Sequence, residues 1–326
     1  MILVTGGAGF IGSNLHAALQ ADGHDTVIAD WLGNDGKWRN LRHHPPGCVI
    51  APEALDDFLK TTPALDAVVH LGAISETTAT DGDLVWRSNV TLSQKLWSWC
   101  AKHGVRFIYA SSAATYGDGS AGFDDNLSLP ALQKLRPLNL YGWSKHAFDL
   151  WVSCQVEAGA PAPPAWAGVK FFNVYGPNEY HKDKMISVVK VKHDELRAGG
   201  PIKLFRSDRP GLADGAQARD FIYIDDVVAA LRFMLTAPDL AGLYNLGTGL
   251  ARTYYELGLA VCAANSQAAN IEFIDMPQTL RGQYQSFTQA PMTRLCEAGF
   301  NHAFKTLEQG IDTYIRLYLT QPDPYR

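Results

Sequence analysis

Three glycines spaced three apart, Gly6, Gly9 and Gly12, follow the apolar run Ile2-Leu3-Val4 and open a stretch of helical periodicity. A strand that ends in such a turn and starts a helix presents unpaired backbone N–H groups and the positive end of a helix dipole to an anion. Glycine permits the tight turn, the close approach of backbone to a pyrophosphate, and close packing of helix on sheet. Asp30 ends the next apolar run, 18 residues after Gly12, where a carboxylate can accept the hydroxyls of an adenosine ribose. A glycine triplet alone also fits an ordinary Gly-rich turn. Strand, turn, helix and acid together point to a dinucleotide site built from Gly6, Gly9, Phe10, Ile11, Gly12 and Asp30. Lys37, Trp38 and Arg39 follow in the next loop, either to neutralise a 2′-phosphate or as solvated charges. These residues leave NADP and NAD both open.

The strand and helix signals keep alternating after this turn. Residues 10–22 read as a helix, Thr26 to Asp30 as a strand, Trp31 to Pro46 as a polar loop and Ala67 to Leu71 as a buried strand. Residues 84–103 read as one long helix, and Phe107 to Ala110 as a strand. Such alternation builds β-α-β units and a parallel sheet. Tyr141 to Glu157 is a further helix, and Val169 to Val174 a strand. Beyond it the pattern mixes a helix over 184–198, short strands at Leu204-Phe205, Phe221 to Ile224 and Leu243 to Leu246, and a last helix from Thr306 to Leu319. The expected fold is α/β, a Rossmann-type doubly wound parallel sheet with a smaller C-terminal α/β substrate lobe. Residues 1–175 form the dinucleotide-binding domain. Residues 176–326 are mainly the substrate lobe, with 219–250 returning to the cofactor domain.

Composition removes several alternatives. The formal charge of −5 gives no basic footprint for nucleic acid or a membrane surface. The five cysteines are scattered without a C-x-x-C pair, which excludes a disulfide framework or zinc ribbon and fits a reducing cytoplasm. No apolar run is long enough to span a membrane. Met1 to Val4 lacks the basic start of a signal peptide. His43-His44 has no second ligand cluster and reads as a loop pair, so no metal site is expected.

Tyr141 and Lys145 stand four apart and so share one helix face. An ammonium beside a phenol favours the phenolate, which makes Tyr141 a usable acid/base near neutral pH. Ser111-Ser112 directly follows the strand Phe107 to Ala110, at the carboxyl end of the sheet where open α/β folds bind ligands. A serine there can hydrogen-bond an oxygen undergoing oxidation. The glycine loop, Ser112-Ala113-Ala114-Thr115-Tyr116-Gly117 and the Tyr141/Lys145 pair, in this order, resemble the extended short-chain dehydrogenase/reductase superfamily over most of the chain. The resemblance places the catalytic serine at Ser112.

Further segments resemble the ADP-L-glycero-D-manno-heptose 6-epimerase family, within the NAD-dependent epimerases and dehydratases. They are Gly72 to Thr78, Phe172 to Glu179 with His181 to Met185, Arg219 to Tyr223, Leu280 to Gln289 and the loop Lys37 to Leu41. That likeness implies a tightly bound nicotinamide cofactor, NADP preferred and NAD possible. It would be held also by Leu71, Ala73, Asn89, Tyr141 and Lys145. It implies Lys182 as a second acid/base opposite Tyr141, with Ser75, Ser112, Asn173, His181, Lys182, Arg219, Arg281 and Tyr284 contacting an ADP-heptose. Inversion at C6″ would supply heptose for the lipopolysaccharide core. A cytoplasmic homo-oligomer is implied, a pentamer by the likeness and a dimer otherwise.

Several positions depart from that family's pattern: Trp31 after Asp30, Gln283, an insertion over Ser207 to Ala218, and a Pro-rich Ala160 to Ala165. The first bears on the cofactor and the others on the substrate. Three rival readings share parts of the pattern. A 4,6-dehydratase needs an acidic pair where Ala113 and Ala114 stand. A UDP-hexose 4-epimerase shares the acid/base pair. A non-catalytic NADP-binding regulator does not need Tyr141 or Lys145, which are both present.

Overall fold

Alternating burial explains how the apolar runs assemble. In β1 (Ile2–Thr5) and β4 (Ala67–His70), Ile2, Val4 and Val69 join one core while Leu3 and Val68 join another. Side chains of successive strand residues point to opposite faces, so a strand with apolar residues at every position must be covered on both. In the computed structural model, which describes residues 1–61, 65–278 and 285–326, both faces are covered. On one side pack Leu15 and Leu19 of helix Phe10–Ala21 with Val227 and Leu231 of helix Ile224–Thr236. On the other lie Leu96 and Trp97 of helix Leu92–His103 with Phe148 and Val152 of helix Leu140–Glu157.

The other strands are β2 (Thr26–Ala29), β3 (Cys48–Ile50), β5 (Arg106–Ser112), β6 (Trp166–Phe171), β7 (Asn173–Tyr175), β8 (Ile202–Phe205), β9 (Ala218–Tyr223), β10 (Ala241–Leu246), β11 (Ala251–Thr253) and β12 (Ile271–Ile274). The large sheet runs β10-β6-β5-β4-β1-β2-β3, and every pairing in it is parallel. This is the expected doubly wound fold. The order reverses between β1 and β4, which opens a crevice above their carboxyl ends. A second sheet, β11-β9-β7, and a two-stranded β12-β8 sheet come from the later chain. No described helix is long and apolar enough to cross a membrane.

Three expected elements are broken in instructive ways. The long helix over 84–103 is instead Gly82–Trp86, a π-turn Arg87–Thr91, then Leu92–His103. Apolar periodicity cannot register one inserted residue, yet such turns often sit where a side chain must be re-aimed. The single strand over 169–174 divides at Phe172: β6 stays in the large sheet and β7 pairs with β9. The helix over 184–198 begins only at Val188, behind the cap Ser187, while Tyr180–Met185 forms a 3-10 segment. β3, β11, β12 and helices Leu55–Thr61, Ile224–Thr236 and Tyr254–Ala264 are not anticipated, although Thr253 and Glu256 form a capping box.

Candidate active site

The glycine loop is set by close backbone packing. A Cβ on Gly12 would lie 2.2 Å from the Gly6 carbonyl oxygen, and one on Gly6 (φ +68°) 2.6 Å from the Gly72 nitrogen. The loop after β1 and the loop after β4 therefore touch, and only glycine fits where they do. His70, fully buried at the end of β4, joins Thr5 Oγ1 (2.6 Å) to Ser93 Oγ (2.9 Å), and Thr5 Oγ1 accepts from the Gly72 N–H at 3.1 Å. Burial, with the nearby Lys145, holds His70 down at about 3, so the ring is neutral.

Asn139 caps helix Leu140–Glu157 by accepting from the Gly142 N–H at 2.8 Å. A Cβ on Gly142 would lie 2.7 Å from the Ala114 carbonyl. This glycine lets the helix press against the turn after β5, so that Tyr141 and Ser112 line the same cleft. The same helix face continues to Asp149, which is fully buried. Asp149 accepts from Lys170 Nζ (2.7 Å), Ser111 Oγ (2.7 Å) and Tyr109 OH (3.1 Å). Sequence reading missed this buried network; the signal was the four-residue rhythm Tyr141, Lys145, Asp149.

These elements converge on an open cleft of about 600 Å³ above the carboxyl ends of β1, β4 and β5. Gly6, Gly9, Phe10, Ile11, Gly12, Asp30, Lys37, Leu71, Ala73, Tyr141 and Lys145 line it, as do Ser75, Ser112, His181 and Lys182. At one end Asp30 accepts from the Ala8 N–H (2.9 Å) and from Lys37 Nζ (2.9 Å). Trp31 points its Nε1–H to Glu53 at 2.8 Å. His181 meets Asn40 Nδ2 at 3.2 Å and so stands beside the loop of Lys37. Burial and the charges of Lys37 and Lys182 hold it down at about 4.

Burial dominates the acid/base pair. It raises the Tyr141 phenol, against the lowering effect of the Ser112 hydrogen bond, and lowers Lys145 to about 8. Lys145 exerts no resolved pull on the phenol, contrary to the sequence expectation; desolvation of both groups is the larger effect. Lys145 Nζ is buried without a hydrogen-bond partner among the described residues. An orphaned ammonium costs free energy unless a ligand completes it. The ribose hydroxyls of a nicotinamide dinucleotide fit that need, and the crowded glycine loop fits its pyrophosphate.

Three expected contacts lie elsewhere. Asn89, in the π-turn, gives both Nδ2 hydrogens to Ile74 O and Ser144 Oγ (2.9 Å each) and accepts from the Ile74 N–H at 2.8 Å. Its hydrogen bonds are spent on holding the loop after β4 to the helix Leu140–Glu157, not on a cofactor. Asn173 is exposed, because Phe172 and Val174 take the cleft side of an alternating strand. Arg219 is buried in β9, donates to Ala218 O and Gln285 O, and lies over the Tyr254 ring. It anchors the chain near residue 285 and is not among the described residues that line the cleft. Arg281 and Tyr284 lie outside the described residues.

Parallel sheet, glycine crevice, neutral serine, tyrosine and lysine define a nicotinamide-dependent enzyme of the nucleotide-sugar type, and residues 2–247 match the NAD dependent epimerase/dehydratase family. The chain belongs to that family, and within it to the ADP-L-glycero-D-manno-heptose-6-epimerases. The protein of that name from Fusobacterium nucleatum subsp. nucleatum is 42% identical over 335 residues, covering 100% of both chains. Among solved structures, the Helicobacter pylori ADP-L-glycero-D-manno-heptose-6-epimerase superposes with a TM-score of 0.77 at 28% identity, covering 96% of this chain and 94% of that one. A Thermus thermophilus UDP-glucose 4-epimerase in complex with NAD follows at 0.70 and 26%, covering 96% and 97%.

Proposed function

We propose that the protein inverts C6″ of ADP-D-glycero-D-manno-heptose to give ADP-L-glycero-D-manno-heptose, supplying heptose for the lipopolysaccharide core. The observation that carries the reading is one cleft shared by Ser112, Tyr141 and Lys145 from residues 1–175 and by Lys182 from residues 176–326. C6″ carries a hydroxyl and has no neighbouring carbonyl, so its hydrogen is not acidic, and simple deprotonation offers no accessible path to inversion. A bound NADP, with NAD as the alternative, supplies a reversible hydride acceptor. Ser112 orients the 6″-oxygen, and Tyr141, whose phenol burial raises and a neighbouring positive nicotinamide ring would lower, would take its proton as the carbonyl forms. Lys145 holds the cofactor ribose. One base on one side serves only one stereoisomer well; Lys182 supplies the second acid/base for return to the other face. Two residues holding groups at a reacting centre in this way are the usual form of general acid–base catalysis. The chain acts as a cytoplasmic homo-oligomer in this reading.

Purified protein, incubated with ADP-D-glycero-D-manno-heptose and separately with UDP-glucose without added cofactor, tests it. Epimerisation of the heptose alone is expected, and mass spectrometry of the released nucleotide identifies NADP or NAD. Turnover of UDP-glucose with an untouched heptose would make the protein a UDP-hexose 4-epimerase instead.

A further inference from the structure

Lys182 does not sit on a helix or strand of the large sheet. It lies in the 3-10 segment Tyr180–Met185, immediately before Asp183, whose φ of +44° and ψ of −118° depart from helical values. A non-glycine residue in that region is strained and persists only where its surroundings hold it. The outer part of this segment touches the cofactor half at few points: His181 at Asn40, Met185 Sδ accepting from Thr77 Oγ1 at 3.6 Å, and Lys182 Nζ over the Phe10 ring at 5.3 Å.

The base of the segment is held by a different group. Glu179 is fully buried. Its carboxylate accepts from the Ser187 N–H (2.7 Å), the Ser187 hydroxyl (2.6 Å) and the Tyr314 hydroxyl (2.9 Å). A longer contact at 3.5 Å comes from the Gly176 N–H. Its own carbonyl accepts from the Lys182 N–H at 3.1 Å. One carboxylate thus ties together both ends of the Lys182 segment and the helix Leu307–Tyr314. Burial raises the Glu179 carboxyl, and the charge of Lys182 and the donors from Ser187 and Tyr314 oppose that rise; burial lowers Lys182, and Glu179 opposes that fall. We propose that Glu179 is a positioning residue of the reaction: through Ser187 and Tyr314 it closes the loop from 179 to 187 and so holds Lys182 at the cleft. This deepens the reading of Lys182 as the second acid/base and rests on it.

The charged and titratable groups facing this pair are Tyr180 and His181 on the same segment, Tyr314 from the last helix, and Asp35 and Lys37 around His181 from the cofactor loop. The test compares Glu179→Gln, Tyr314→Phe and Lys182→Met with the parent protein. The readouts are kcat and KM for ADP-D-glycero-D-manno-heptose across pH, with bound nucleotide measured by absorbance after denaturation. Glu179→Gln keeps the shape and removes the charge. Its kcat is expected to fall roughly tenfold or more with KM within about threefold. The limb of the pH profile that Lys182→Met abolishes is expected to move down by about one unit, and bound nucleotide to be unchanged. Tyr314→Phe removes one donor and is expected to lower kcat two- to fivefold, on the order expected for one lost hydrogen bond; it carries the test if Glu179→Gln does not fold. An unmoved pH limb with kcat within about twofold in the variant that folds overturns the proposal. Full epimerisation by Lys182→Met overturns the underlying reading of Lys182 instead, and the two failures are distinguishable.

Discussion

The two walls of the cleft are built differently. Tyr141 and Lys145 stand on a capped helix of 18 residues, packed through Gly142 on the end of β5 and braced beneath by the Asp149–Lys170 pair. Lys182 stands on a short strained segment, tied at its base by Glu179 and touching the cofactor half at Asn40, Thr77 and Phe10. A group on a rigid element keeps its geometry without a ligand; a group on a tethered segment can follow two stereoisomers. The contrast suits a reaction in which one side must hold a cofactor through every step while the other meets a substrate that turns.

Substitutions break this comparison in order of size. Tyr141→Phe leaves the wall intact and removes its proposed proton carrier; kcat for the heptose should fall by about 10³-fold or more, with bound nucleotide retained, and Lys182→Met should cost nearer 10². Equal losses would mean the walls do not differ as described. Asp149→Ala strands Lys170, which is fully buried, and should destabilise the protein by about 3–5 kcal/mol in denaturant unfolding. A loss under about 1 kcal/mol would show that water reaches the site.

The most gradual effect is on pH. His70 is held at about 3 in the folded protein against an ordinary value of 6.5. The unfolded chain therefore takes up a proton that the folded chain refuses. Stability present above pH 6.5 is lost as pH falls toward about 3. His70→Gln should flatten that slope by up to about 1.4 kcal/mol per pH unit. An unchanged slope would place the acid sensitivity in other groups, such as His181, held at about 4.

What the sequence disclosed follows the same division. The glycine loop, Asp30, Ser112 and the Tyr141/Lys145 pair are read from neighbours close in the chain, because a turn or a helix face is a local matter. The large sheet was legible from its buried runs. The roles of Asn89, Asn173 and Arg219 were not, because each depends on a partner brought in by tertiary packing: Ile74 and Ser144 for the first, the split of β6 from β7 for the second, Gln285 for the third. Glu179 was visible as one acid in a motif; that it closes a loop through Ser187 and Tyr314 is a contact across 135 residues.

The claim that inversion proceeds through reversible oxidation in this shared cleft meets its most direct test in isotope retention. ADP-D-glycero-D-manno-heptose carrying deuterium at C6″ is converted in ordinary water, and the product is examined by NMR and mass spectrometry. Hydride return predicts that the deuterium stays at C6″ of the inverted product. Replacement of the label by solvent hydrogen would contradict the account.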